Sequence, residues 1–246
     1  MGCSGSVLDS GTPAQAFLGS IKAVPWGVLG EAMDVAAGTP WATKKEAPAP
    51  DANILIVDPA SINVASDPNF RPAEAGGAAG AVYRFLGIDS NSTFPPDVVS
   101  GLNGTADAVY KRYGYPHALH VIHVIGPDFK ALPGITDDEA IASLATCYAA
   151  VLTRFAKDHP SDLLRLVPVS AGIYAGGFRE RMAELTAAAL HTAAERIATE
   201  EPALFQELPP NQGRNCELCL FDPREAAPYA AALKAKFSEE ASPATV

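Results

Sequence analysis

In NILIVDPAS, residues 53–61, a run of aliphatic side chains stops at Asp58-Pro59 and leads to Ser61. A similar change of character occurs at Asp34-Val35, at SAGIYAGG (170–177) and at Phe221-Asp222. The first of these four stretches extends to a glycine run, Gly76-Gly77-Ala78-Ala79-Gly80, that opens a helical pattern. Glycine lets the backbone come close to an oxyanion, and the helix that follows aims unpaired N–H groups at it, so phosphate can be held without Lys or Arg. The GGAAG run on its own fits close helix-to-sheet packing equally well, and SAGIYAGG alone is open in the same way. His120-x-x-His123 and Cys216-x-x-Cys219 have the look of metal pairs, but both fall in predicted strands, where residues three apart point to opposite faces. No shared metal is expected there. Asp137-Asp138-Glu139 reads as the acidic start of a helix, and Arg179, Glu180 and Arg181 as a solvated helix face.

The elements that must position these residues follow from hydropathy patterning. AVPWGVLGEAMDVA (23–36) reads as a strand ending near Asp34, PWATKKEAPAP (40–50) as a loop, and ILIV and HALHVIHVIGPDF as buried strands. AGGAAGAVYRFLG (75–87), residues 137–158, residues 178–200 and residues 223–237 carry helical patterns; the second has acids at its start and Arg154 and Lys157 near its end, as the helix dipole prefers. LLRLVPVS and NCELCLFD supply two more strands. Strands alternating with helices predict an α/β fold, a three-layer α/β/α sandwich with a mixed, mostly parallel central sheet. In such a sheet ligands bind beyond the carboxyl ends of the strands, which is where the four stretches fall.

Composition narrows the function. With 48% hydrophobic residues among 246, the chain can fill a sizeable core, and its apolar runs are too short to span a bilayer. A net charge of −10 argues against a broad grip on nucleic acid. Cys3, Cys147, Cys216 and Cys219 do not form a disulfide framework, which favours a reducing, cytoplasmic-side compartment; a signal for secretion is not evident.

From 24 to 237 the order and spacing of these pieces resemble the macrodomain family of ADP-ribose-binding modules. GEAMDVA resembles that family's Gly-Asp-Ile segment, ILIVDPAS its Ile-Val-Asn-Ala-Ala-Asn turn, AGGAAGAVYRFLG its glycine loop and helix, HVIHVIGPDF its His-Thr-Val-Gly-Pro strand, and VPVSAGIYAGG its Ser-Thr-Gly-Val-Tyr loop. CLFDPREAAPYAAAL is similar to the closing strand and helix of cellular members, while AVYR, GTA (104–106), IGPDF and GIYAGG are similar to the alphavirus replicase macrodomain. The resemblance implies a macrodomain over 21–238 and ADP-ribose as ligand, with no cofactor and no metal. It implies that Asp34 accepts from the adenine amino group, Val35 donates from its backbone, and Phe221, beside Asp222, stacks on the purine. Asp58 would be a ligand-binding residue, and the loop Gly76, Gly77, Ala78 and Gly80 would meet the distal ribose and one phosphate. Ser170, Ala171, Gly172, Ile173 and Tyr174 would wrap the diphosphate, with Tyr174 near the distal ribose.

Two departures bear on catalysis. The family's second turn Asn falls on Ser61, or on Ser66 if INVAS is aligned instead, and Ala79 stands where cellular hydrolases carry an aspartate. Ser61, Gly77, Ala79 and Tyr174 are the expected catalytic positions if the chain hydrolyses mono-ADP-ribose from acidic side chains of proteins. The alternatives are a non-catalytic, membrane-tethered ADP-ribose reader and hydrolysis of ADP-ribose 1″-phosphate or O-acetyl-ADP-ribose. The expected partners are ADP-ribose and mono-ADP-ribosylated proteins, and the chain is expected to be a monomer.

MGCSGS at the start matches the pattern for myristoylation at Gly2 and palmitoylation at Cys3. Myristate alone binds membranes with only about 10⁴ M⁻¹, so attachment there would need both lipids. Residues 1–20 are accordingly expected to be a flexible tether and 239–246 a disordered tail.

Overall fold

The structure, a computed structural model, describes residues 12–39, 42–67, 69–114, 118–158 and 161–239. Gly2, Cys3 and most of the C-terminal tail lie outside the described residues. In chain order the elements are α1 (Pro13–Ser20), β1 (Ile21–Val24), β2 (Glu31–Met33), β3 (Thr43–Lys45), β4 (Ile54–Ala60) and α2 (Asn63–Ser66). They continue with α3 (Gly77–Phe85), α4 (Pro96–Val99), β5 (Ala108–Tyr113), β6 (Leu119–Ile125), α5 (Asp137–Asp158) and β7 (Leu163–Leu166). The last are α6 (Met182–Glu200), α7 (Pro202–Phe205), β8 (Asn215–Cys219) and α8 (Ala226–Glu239).

Six strands form the central sheet in the order β1-β8-β7-β4-β6-β5, with four parallel pairings and β5 antiparallel to β6. The central strands are aliphatic on both faces: Leu55, Val57, Val121, Ile122, Leu164 and Leu218 have no exposed surface. That is the pattern of a sheet covered by helices on each side. One cover is α5 and α6, which pack on each other, and α3 packs on β4.

Three sequence expectations are corrected here. The expected strand through 23–36 is two strands, β1 in the main sheet and β2 in a separate antiparallel pair with β3, which lies inside the segment read as loop. Gly30 makes the bend between them, at φ +79°, where a Cβ would come within 2.5 Å of the Ala47 carbonyl oxygen. Second, β5 has no counterpart in the sequence reading; only its end residues Ala108 and Tyr113 are buried, and it has no long aliphatic run. Third, regular structure begins before residue 21. Thr12 and Gln15 form a reciprocal capping box, with Thr12 Oγ1 accepting from Gln15 N at 3.3 Å and Gln15 Oε1 accepting from Thr12 N at 2.7 Å. Pro13 suits the first helical position, and α1 buries Ala14, Phe17 and Leu18 against α6 and α8.

Candidate functional site

The carboxyl ends of β4, β6 and β7 enclose a cavity of about 100 Å³, lined by Pro59, Ala60, Ile62, Thr105, Gly126, Asp128, Val169, Ser170 and Tyr174. Close approach of the loops requires glycine at two points. A Cβ on Gly126 would lie 2.5 Å from Val169 Cγ1, and one on Gly176, at φ +55°, 2.7 Å from the Phe129 carbonyl oxygen. The Phe129 N–H donates to Tyr174 O at 3.0 Å, and Ser170 Oγ donates to Pro127 O at 2.6 Å. These contacts fasten the loop after β6 to the loop after β7. Buried Tyr148 of α5 fixes the β7 exit, its hydroxyl accepting from Val169 N at 3.0 Å and donating to Val167 O at 3.4 Å.

Within 170–177, the side chain of Ser170 is turned down to Pro127, while the N–H groups of Gly172 and Ile173 have no acceptor among the described residues. Ile173 is 74% exposed, so nothing covers the loop. Arg179, exposed as expected of a solvated face, also reaches back with Nη2 3.4 Å from the Gly172 carbonyl oxygen, while exposed Arg181 makes a double pair with Asp137. Across the crevice Ser61 Oγ lies 3.1 Å from Tyr174 Oη. Ser66, the alternative position, hydrogen-bonds to Ile62 O within α2.

Of the glycine run, Gly76, Gly77 and Ala78 are exposed, and a Cβ at Gly76 or Gly77 would meet nothing within 4 Å. Ala79 and Gly80 face inward, contrary to their expected places in the site. Ala79 belongs to the core, and a Cβ on Gly80 would lie 2.2 Å from Ala75 O, so Gly80 serves close packing. Asp58 is a second correction: it is fully buried, one position too deep in β4 to reach the crevice. Its Oδ2 meets His123 Nδ1 at 2.7 Å, and His123 Nε2 meets Tyr113 Oη at 2.8 Å. His120 pairs with Tyr110 instead, at 2.7 Å, so the two histidines serve separate contacts. Cys216 and Cys219 are buried, which pushes both thiols up.

At the other end of the crevice, Met33 N donates to Phe221 O at 2.9 Å, which sets Asp34 and Val35 beside Phe221. Phe221 is 41% exposed and Val35 48%. Buried Arg165 of β7 steadies this end by donating to Val28 O at 3.2 Å and Pro48 O at 3.0 Å while paired with Glu217 at 3.0 Å. Asp34 Oδ1 caps the turn that follows through Ala36 N at 3.1 Å, and Oδ2 has no hydrogen bond among the described residues. Asp222 is occupied by Arg224, whose Nη2 lies 2.5 Å away; that guanidinium holds the carboxyl below the usual carboxylate range. A carboxyl with a depressed folded value contributes stability above its ordinary pKa and loses it as pH falls through the folded value. The melting-temperature gap between wild type and Asp222→Asn is therefore expected at pH 7, should begin to narrow at about pH 4, the ordinary Asp range, and should close only below the depressed folded value.

Thr105 and Asp128 are cavity residues that the sequence reading did not single out. Thr105 is presented by a turn in which Asp107 Oδ2 accepts from Asn103 N at 2.8 Å and Gly104 N at 3.1 Å, and Ala106 takes φ +72°. The Asn103-Gly104 pair was the available turn signal. A larger cleft of about 490 Å³ lies by β5, α5 and α6, but its Arg154, Lys157 and Arg196 are each already paired with an acid.

No protein-family model matches the sequence, and no curated protein does. Among solved structures the chain is similar to Alphavirus P23pro-zbd, at 21% identity and TM-score 0.47 over 76% of this chain, of which it spans only 22%. It is similar to the Oceanobacillus iheyensis macrodomain with ADP, at 18% identity and TM-score 0.49 over 76% of this chain and 86% of that one. A mutant of poly(ADP-ribose) glycohydrolase from Thermomonospora curvata aligns over 90% of this chain and 83% of its own, at 14% identity and TM-score 0.52. The strand order, the helical layers and this last alignment agree on architecture: the chain has a macrodomain-like fold, a three-layer α/β/α sandwich around a mixed, mostly parallel sheet.

Proposed function

We propose that the protein binds ADP-ribose, free or attached to proteins, and releases mono-ADP-ribose from acidic side chains. The observation that carries this reading is the run of unpaired N–H groups at Gly172 and Ile173, set between exposed Phe221 and the Ser61–Tyr174 pair. Phe221 stacks on adenine, Asp34 Oδ2 accepts from its amino group, the 170–174 backbone takes the diphosphate, and Ser61 with Tyr174 orients the distal ribose. The test is to incubate the protein with a glutamate-linked mono-ADP-ribosylated peptide and follow release of ADP-ribose by mass. Binding without release would leave the second reading, a non-catalytic reader, which Ala79 in place of an acid favours.

Removing the Asp34 acceptor should weaken ADP-ribose binding by about 1 to 3 kcal/mol, roughly 5- to 150-fold. Calorimetry on Asp34→Ala checks this, and an unchanged affinity would take Asp34 out of the site. The N-terminal motif forms a separate part of the proposal: Gly2 and Cys3 carry two lipids and confine the domain to a membrane surface. No described helix is long and apolar enough to cross a membrane itself. In a eukaryotic cell the full chain should then fractionate with membranes and Gly2→Ala should not; equal cytosolic recovery of both would refute acylation.

A further inference from the structure

Ester hydrolysis at the distal ribose needs a group to take a proton from water, and position 79 offers only a buried methyl. Three other carboxylates lie near the exits of β4 and β6. Asp58 is sealed beneath β4 against His123, and Asp107, whose Oδ2 accepts from the N–H groups of Asn103 and Gly104, is not part of the cavity lining. Asp128 differs from both. It lines the 100 Å³ cavity together with Tyr174, Ser170 and Thr105, and it is the one carboxylate among the described residues that does so. Its Oδ1 accepts from Lys130 N at 3.0 Å and Ala131 N at 3.3 Å, which fixes the orientation of the carboxylate. Its Oδ2 has no hydrogen bond among the described residues. The next residue, Phe129, is tied through its N–H to Tyr174 O, so the carboxylate and the tyrosine are held on one rigid unit. An oriented carboxylate with one oxygen free of protein hydrogen bonds, in the lining of a small cavity that it shares with Tyr174, has the form of a general base.

We propose that Asp128 is the general base of this site, a role that rests on the hydrolase reading above. Asp128 Oδ2 accepts a proton from a water molecule as that water's oxygen bonds to C1″ of the distal ribose. The bond from C1″ to the ester oxygen breaks, and its electron pair leaves with the protein's Asp or Glu as a carboxylate, which needs no proton. Asp128 then returns the proton to solvent, and ADP-ribose departs. Tyr174 and Ser61 hold the ribose and transfer no proton.

The experiment compares full-length wild type with Asp128→Asn and Asp128→Glu on the glutamate-linked mono-ADP-ribosylated peptide. Asp128→Asn preserves the acceptor for Lys130 and Ala131 but cannot take a proton. It should lower kcat on the order of 10²- to 10⁴-fold, retain wild-type affinity for ADP-ribose in calorimetry, and lose the acid limb of the kcat/KM pH profile. Asp128→Glu should recover part of kcat and restore that limb. If wild type releases ADP-ribose and Asp128→Asn does so at the same rate with the same pH profile, Asp128 is not the base, while the hydrolase reading stands. If wild type binds ADP-ribose but releases none from the peptide, the hydrolase reading fails and this role with it.

Discussion

Gly172→Glu should abolish ADP-ribose binding in a protein that still folds. A Cβ at residue 172 meets no heavy atom within 4 Å, and the position has no positive φ, so the chain accepts a side chain there without a clash. The cost falls on the ligand. The N–H groups of Gly172 and Ile173, which have no acceptor among the described residues, would face a carboxylate in the space assigned to the diphosphate. Two like charges about 4 Å apart near a protein surface repel by about 4 kcal/mol, close to a thousandfold in affinity before any steric exclusion is counted. Calorimetry gives the affinity and a thermal melt gives the fold. Wild-type affinity in a normally melting variant would mean that the glycines of this loop serve packing alone, and the diphosphate would have to be placed elsewhere.

Phe17→Ala should cost about 3 to 5 kcal/mol of stability, the range for truncating a fully buried aromatic. Phe17 has no exposed surface, and α1 packs its Ala14, Phe17 and Leu18 on α6 and α8, where Gly19 also approaches the ring of Phe237. A change of that size is a large part of the margin that holds a domain folded. Were residues 12–20 a tether, the same substitution would be silent. Urea unfolding separates the two outcomes: a shift of the midpoint at constant slope is expected, and coincident curves for Phe17→Ala and wild type would return α1 to the tether.

The contrast over α1 shows where the sequence could be read and where it could not. The composition of 1–20 is rich in Gly, Ser and Thr, and that average masked the local signal Thr12-Pro13-x-Gln15, a capping box with proline at the first helical turn. An eight-residue helix owes little to its own propensity, and its place is decided by the surface of α6 and α8 that it covers. The β2–β3 pair failed for a related reason. Three-residue strands whose β3 residues are all exposed have no hydrophobic period to detect, and their pairing is secured by tertiary contacts, with Gly30 O accepting from Glu46 N at 2.9 Å and Ala47 N at 3.0 Å.

Long periodic elements needed no such help. The helix at 137–158 matches its predicted bounds, and the aliphatic runs in β4, β6 and β7 specified a covered, mostly parallel sheet because only burial on both faces tolerates them. By itself the sequence therefore determined the fold class and located the exits of β4, β7 and β8. What it could not determine was the direction each side chain takes at those exits. One residue along a strand reverses its face, so Asp58 turns into the core to meet His123 while Ser61, past the strand's end, meets Tyr174 across 113 positions of chain. Helical phase likewise sends Ala79 and Gly80 inward and leaves Gly76 and Gly77 outside. The tertiary structure alone brought Asp128 into the cavity with Tyr174, because their meeting depends on how two loops, from different strands, pack where glycine leaves room.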